Sequence, residues 1–525
     1  MENLKQCERE SKSNTDLECP TTRDDDLLVA PIPFSEQLKA VKHHKRAIIA
    51  AVSNSYATAL ACTTTPILIG YDLTLIGSII ANTEFIKQFG VYDLASQSWS
   101  LPANHQLVWS IVQYTSAMAA AILSGSMNDI FGRRLCFLIT VTLTIIGTFV
   151  ELFSTNWKIW VVAKLFMGAS MGSMQANTQT FVSEITPTVI RGLILSHFQF
   201  WIIVGQLIAS CVLEGTSHVS SLWSWRGAVV SQFGPALFCL VMFFAFVPES
   251  PYYLVSCNRL SDARAALARL RTPEINNTTL EAELHQIQVT LLHERQSRAT
   301  DSSSYLECFQ VFNLRRTLLA CLPVIMQILT GFPLCGNYLS YFLTLSGFKN
   351  AFLITVIQGI ISLFAALAAF IFIERVGRRP QMLTGSCGML ICLLIISIFG
   401  FEGLGQDWNY RALAAFCIIW ALFYYASVGA VGWAIVGEIS SSRLRAKSTS
   451  IAALTLSLFN MAWSIAIPYP VNQEDANLGA KSGLVFLGSG LICTIICCFC
   501  LPETKGQSFD VLDALFEAGT PARKF

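Results

Sequence analysis

Charge is scarce in this sequence. Asp, Glu, Lys and Arg make up only 13 % of its 525 residues, where soluble globular chains carry about a quarter. Apolar residues reach 53 %, which excludes a chain of ordinary soluble domains and implies a polytopic membrane protein. Basic tracts and basic–aromatic interleaving are lacking, and the net charge is +1 with a pI near 7.4; nucleic-acid binding is set aside on that ground. Histidine is scarce, at seven, and none sits in a spacing that suits a metal site or a catalytic triad. Neither an enzyme nor a metal or other cofactor is therefore expected. The 17 cysteines are scattered, several inside apolar runs (Cys493, Cys497, Cys498, Cys500), and read as small apolar packing residues. The first 46 residues are polar, hold Asp24-Asp25-Asp26 and contain no apolar segment ahead of a small-residue cleavage site. A removable signal peptide is not expected, so the first apolar run must be its own insertion signal.

Long apolar runs are what the chain has in abundance. A spanning helix needs about 20 mostly apolar residues, and twelve such runs lie at roughly 56–81, 105–127, 135–155, 159–182, 193–214, 226–247, 317–343, 350–373, 381–400, 411–436, 448–470 and 482–501. An even number places both termini on one side. The turns holding Arg133, Arg134, Arg191, Arg375, Arg378, Arg379, Arg443, Arg445 and Lys447 alternate with turns of at most one or two basic residues. By the positive-inside rule the basic turns and both termini are cytoplasmic. The polar stretch 248–316 is the only long internal loop, and its segment from Leu260 to Arg271 has the pattern of a short amphipathic helix on the cytoplasmic surface.

The chain also repeats itself. Gly125-Ser-Met-Asn-Asp129-Ile-Phe-Gly132-Arg133-Arg134 joins the second and third runs, and Glu374-Arg-Val-Gly377-Arg378-Arg379 joins the eighth and ninth. Glu184 precedes Arg191 by seven and Glu438 precedes Arg445 by seven; Pro248-Glu249-Ser250 and Pro502-Glu503-Thr504 each close the last run of a half. Three charged motifs in one order at nearly one spacing mean two homologous halves in parallel register. The expected fold is an all-α membrane protein of twelve transmembrane helices in two six-helix pseudo-twofold halves. Its segments are a cytoplasmic tail 1–46, a half 47–247, a loop 248–316, a half 317–501 and a tail 502–525.

The motifs Gly125 to Arg134, Pro248-Glu-Ser-Pro-x-x-Leu254 and Pro502-Glu-Thr-Lys-Gly506 resemble those of the major facilitator superfamily, and within it the sugar porters. Gly70-Tyr71-Asp72, Gly205 to Ser210, Ser442 to Lys447 and the tail Pro521 to Phe525 look like fungal maltose and other α-glucoside permeases. From about residue 47 onward the resemblance implies a monomeric proton symporter of the plasma membrane. It would import an α-glucoside or related sugar by alternating access, with sugar, proton and lipid bilayer as its partners. Facilitated diffusion, export of a small secondary metabolite, and a non-transporting sugar sensor are the other readings; a sensor of this fold generally needs a longer cytoplasmic tail.

Charge placement gives the candidate residues. At the cytoplasmic rim, Asp129, Arg133, Arg134, Glu184, Arg191 and Glu249, mirrored by Glu374, Arg378, Arg379, Glu438, Arg445 and Glu503, are expected to clasp the inner face closed. Each pair is worth about 1 kcal/mol at a wet surface, weak enough to break in every cycle; the bland reading is that the arginines only set topology. Ionisable groups inside the bilayer are costly and therefore suspect. Asp72 lies deep in the first run, and a carboxylate near a movable cation can carry a proton. Lys164 is the matching cation by resemblance, four and eight residues before Gly168 and Gly172, where sugar porters often have an arginine. A helix-end acid and a snorkelling lysine are the alternatives. Two acids usual in the α-glucoside branch are replaced here by Ile69 and Ala117, which leaves Asp72 alone to couple.

For the sugar, amides that both donate and accept and an aromatic face are needed. Gln206, Gln327, Trp433 and Asn460 offer these at membrane depth, with helix-to-helix hydrogen bonding as the alternative for each amide. By resemblance Gln206, Gln327 and Trp433 match sugar-contacting positions, and Asn337, Tyr338 and Tyr341 fall where an aromatic outer gate is expected. Ile328 and Pro333 stand where sugar porters carry further amides, so the site is less rich in hydrogen-bonding groups.

Overall fold

A computed structural model describes residues 58–505 except 59, 94–97, 187–190, 271–276, 301–304, 338, 341–342, 344–350, 403–406, 441–444 and 467–478, together with 515, 516 and 521. Twelve spans follow one another. The first six are Leu60–Ile79, Asn104–Phe131, Arg133–Leu152, Trp157–Ile185, Arg191–Ser217 and Trp223–Phe246. The seventh is Val311–Leu329, extended by a wide helical turn at Pro333–Asn337. Next come Ala351–Arg375, Arg378–Glu402, Asp407–Ala426 with Val428–Ile439, Arg445–Ala466 and Gly483–Cys500. Ten helices among the described residues are long and apolar enough to cross a membrane. The fourth is too polar to be one of them, because it buries Lys164, Gln175, Asn177 and Gln179 against its neighbours.

Three of the expected continuous runs are interrupted. A proline removes one backbone donor and crowds the carbonyl four residues earlier. Pro235 accordingly splits the sixth span after Val230, and Pro333 ends the first part of the seventh at Leu329, where Gly331 takes φ of +100°. The tenth breaks at Ser427 without a proline. A carbonyl released in apolar surroundings needs a new donor, and side chains supply them. Tyr71 Oη donates to Ala228 O (3.0 Å), Ser489 Oγ to Leu329 O (3.1 Å), Trp420 Nε1 to Thr330 O (2.9 Å) and Gln381 Nε2 to Ala426 O (2.7 Å).

Within the first half, spans one and five cross with backbone nearly touching backbone. A Cβ built on Gly70 would fall 1.9 Å from Ile202 O, and one on Gly205 would fall 2.0 Å from Ile67 O. Between the halves, the second span lies along the eleventh and the fifth along the eighth and tenth. The two basic turns are built alike, with Gly132 at φ +83° and Gly377 at φ +107°, and both lie at one end of the bundle. Gly437, next to Glu438, meets Leu195 just inside the start of the fifth span, close in sequence to Glu184.

Two loops carry structure beyond the spans. After the first span a short helix, Thr83–Phe89, leads into a two-stranded hairpin pairing Val91–Asp93 with Ser98–Ser100, a β element that apolar periodicity did not indicate. The amphipathic stretch of the long loop is the helix Leu260–Leu270. Its apolar face is covered by protein: Ala263, Ala266, Leu267 and Leu270 pack with Leu254, Val255, Leu280 and Ile287 of neighbouring loop helices.

Replacing Gly205 with valine should force spans one and five apart and cost about 3 kcal/mol of stability. Gly215→Ala, whose Cβ meets nothing within 4 Å, should be neutral. Thermal unfolding of the two purified variants in detergent checks the pair, and equal behaviour would contradict the crossing.

Candidate functional site

Between the halves lies a narrow polar cleft, with about 390 Å³ of empty space once the solvent at its mouth is counted, walled on one side by Thr74, Ser78, Gln206 and Ser210 and on the other by Asn337, Ser340, Gln358, Ser362 and Tyr425. Two hydrogen bonds between described residues join the walls. Tyr425 Oη donates to Gln206 Oε1 at 2.7 Å, and the hydroxyls of Ser78 and Ser340 lie 2.7 Å apart. Gln358 Nε2 donates to Cys335 O (2.9 Å), a carbonyl of the wide turn of the seventh span. Among the described residues, Asn337 Oδ1 and Ser362 Oγ are buried and take up no hydrogen bond, so acceptor capacity stands ready for a hydroxylated ligand.

Of the residues expected to contact sugar, Gln206 and Asn337 reach this cleft. Gln327, Trp433 and Asn460 do not. Gln327 Nε2 donates to Val428 O (3.2 Å), serving the broken tenth span. Trp433, 1 % exposed, packs on Phe198 of the opposite half with ring centres 5.3 Å apart. Asn460 Nδ2 donates to Leu456 O of its own helix (3.0 Å). In each case a nearer backbone carbonyl or ring claims the group. Tyr338 and Tyr341 lie outside the described residues.

The first span presents a different chemistry on its other face. Asp72 and Lys164 meet as expected, Nζ to Oδ1 3.2 Å, with side chains 7 % and 1 % exposed. That excludes both a helix-end acid and a snorkelling lysine. Gln113 Nε2 donates to the second oxygen of Asp72 (2.7 Å). The unexpected member is Glu151 from the third span, wholly buried, with Oε1 2.5 Å from Lys164 Nζ. Ile69 and Ala117 are buried packing residues, so the second acid enters from another helix. Over the three charges sits an aromatic lid: Lys164 Nζ is 5.2 Å from the Trp160 ring centre, and Phe85 and Phe89 of the short helix wedge among Trp109, Trp160 and Trp225.

The charged motifs at the basic end form two clasps that match group for group. Arg133 Nη2 meets Glu184 Oε1 at 2.8 Å, and Arg378 Nη2 meets Glu438 Oε1 at 2.9 Å. Glu249 accepts from the backbone nitrogens of Arg133 (3.0 Å) and Arg134 (3.2 Å), while Glu503 accepts from those of Arg378 (3.0 Å) and Arg379 (3.1 Å). Ser250 and Thr504 each donate to the Oε2 oxygen of the clasp glutamate, at 2.5 and 2.6 Å. A carboxylate over the first turn of a helix complements its dipole.

Residues 57–516 match the family described as "Sugar (and other) transporter". The chain belongs to that family. Among similar proteins are the major facilitator-type transporter ecdD of Aspergillus rugulosus, 31 % identical over 87 % of this chain and 86 % of the relative, and the general alpha-glucoside permease of Saccharomyces cerevisiae, 29 % identical over 88 % and 75 %. The fold is that of the proton:xylose symporter XylE bound to 6-bromo-6-deoxy-D-glucose, with TM-score 0.72, 22 % identity, and coverage of 88 % of this chain and 99 % of that one.

In this transporter the clasps differ from the expected gate in one respect. Arg133 pairs with Glu184 and Glu249 of its own repeat, and Arg378 with Glu438 and Glu503 of the other, so these ion pairs and hydrogen bonds brace each repeat internally. Asp129 is the loose member, 62 % exposed and 3.8 Å from Arg133. The side chains of Arg191, Glu374 and Arg445 lie outside the described ones. Across the halves, contact at this end is made instead by Trp433 on Phe198, Gly437 on Leu195, and Tyr305, which donates to Ile122 O (2.8 Å) beneath Lys447. Tyr425, Gln358 and Glu151 escaped the sequence reading. For Glu151 a signal existed, a lone acid at the end of an apolar run thirteen residues before Lys164.

Arg133→Leu and Arg378→Leu should each strand a nearly buried glutamate and cost about 3 kcal/mol, whereas Asp129→Asn should shift stability by less than about 0.5 kcal/mol. Thermal unfolding of the three variants decides whether the clasps brace the halves as equivalents.

Proposed function

We propose that this transporter imports an α-glucoside or related sugar across the plasma membrane, coupled to protons, by alternating opening of the cleft between its halves. In this reading both termini and the loop 248–316 face the cytoplasm, the halves run 47–247 and 317–501, the tails are 1–46 and 502–525, and the protein acts as a monomer. The general alpha-glucoside permease among its relatives supports the substrate class; the low-affinity glucose transporter HXT1, 26 % identical, makes glucose the first comparison sugar.

One observation carries the coupling. The first span places Thr74 and Ser78 on the sugar cleft and Asp72 on the ion cluster inside its own half. Charge on the cluster and occupancy of the cleft thus act on one rigid element, and a ligand that binds one arrangement better shifts the equilibrium between arrangements. A proton that neutralises a buried carboxylate changes how firmly the first span is held to the fourth. Sugar hydroxyls would compete for the Tyr425–Gln206 bridge and supply donors to Asn337 Oδ1 and Ser362 Oγ, and so weaken or strengthen the seam between halves.

Two outcomes check this. Uptake of labelled maltose and glucose by a yeast lacking its own carriers should be uphill and abolished by an uncoupler, and Asp72→Asn should reduce it to equilibration; uphill uptake by that variant would remove Asp72 from coupling. Tyr425→Phe leaves Gln206 Oε1 without its donor, a loss of about 1–2 kcal/mol. The apparent Michaelis constant should change about tenfold, and unchanged kinetics would return Tyr425 to packing.

A further inference from the structure

The coupling proposed above names Asp72, yet the structure puts two carboxylates on one ammonium. Lys164 lies 2.5 Å from Glu151 and 3.2 Å from Asp72, and all three are buried. With every group ionised the cluster carries a net negative charge in surroundings where an uncompensated charge is costly. Among the described residues no second cation reaches it. The sixth span offers the neutral Gln232 at this level, the second offers the neutral Gln113, and Arg226 of the sixth span lies over the Trp225 ring.

The two acids are not equivalent. Asp72 receives hydrogen bonds from Gln113 Nε2 and Lys164 Nζ, one on each oxygen. Glu151, wholly enclosed, faces Lys164 and the neutral Gln232 amide, but neither of its oxygens accepts a well-aligned hydrogen bond. Donors favour the ionised form of the group they serve. We infer that Glu151 is the group that binds the transported proton, while Asp72 stays ionised and holds Lys164.

On this assignment a proton from the outer solution forms an O–H bond on a Glu151 oxygen, and Lys164 keeps its own protons. The ammonium, released from Glu151, then pairs with Asp72 alone and ties the fourth span to the first. Loss of the proton draws Lys164 back towards the third span and loosens the first. The carboxylate missing at Ile69 and Ala117 is in this way replaced from a different helix.

The inference rests on the proton-coupled reading, and the experiment separates the two. In proteoliposomes or transport-deficient yeast, wild type should accumulate sugar in an uncoupler-sensitive way; if it does not, the proton-coupled reading fails. If it does, Glu151→Gln should lose accumulation and its pH dependence yet keep sugar counterflow, while Glu151→Asp should retain part of the accumulation. Uphill, pH-dependent uptake by Glu151→Gln at normal surface level would overturn the assignment. Dicyclohexylcarbodiimide, which attacks protonated buried carboxyls, tests it without a variant: mass spectrometry of wild type should find the adduct on Glu151, and an adduct on Asp72 alone would overturn it equally.

Discussion

One ammonium shared by two acids is the constraint on which the rest depends. Lys164 cannot be left alone in the interior, and it cannot satisfy Glu151 and Asp72 fully at once. A buried ion pair adds little net stability because desolvation consumes most of the attraction. In the proposed coupling its value lies in offering Lys164 two partners, so that one proton changes which of them it holds. The aromatic lid of Phe85, Phe89, Trp109, Trp160 and Trp225 covers one side of the cluster with apolar surface, which strengthens the dependence on charge there.

Around that cluster the backbone is stiff in some places and broken in others. Spans one and five meet at Gly70 and Gly205 with no space for a side chain, so they move as one piece. The wide turn after Pro333 and the break at Ser427 lie on the opposite half, and the carbonyls they release are held by Gln327, Gln381, Ser489 and Trp420. Such breaks are tolerated only where they are buried or line a cavity. The turn of the seventh span does line it, through Gly336 and Asn337. The clasps at Glu184 and Glu438 brace each half separately, and in the proposed alternating cycle the halves rock as units while apolar contacts such as Trp433 on Phe198 part and close.

Most of the fold was legible in the sequence because hydrophobic length and repeated charge are local signals. The twelve runs, the paired halves and the basic turns follow from them, and Gly132 and Gly377 fall where a left-handed turn is needed. The site was legible in part. Asp72 with Lys164 could be paired because intramembrane charges are few. Gln327 and Asn460 look like substrate ligands by depth alone, but a nearer carbonyl claims each amide, and which carbonyl is free depends on breaks that periodicity does not mark. Glu151 ends an apolar run and so reads as a boundary residue; only the packing of the third span against the fourth shows that it is buried.

The central claim is that sugar movement and the charge of the Asp72–Lys164–Glu151 cluster are linked. Its most direct test is the proton flux that accompanies sugar entry, read with a pH indicator trapped in proteoliposomes at zero membrane potential. The account predicts acidification of the lumen on sugar addition, in step with uptake and with a single proton for each sugar. Sugar entry with no proton movement would contradict it.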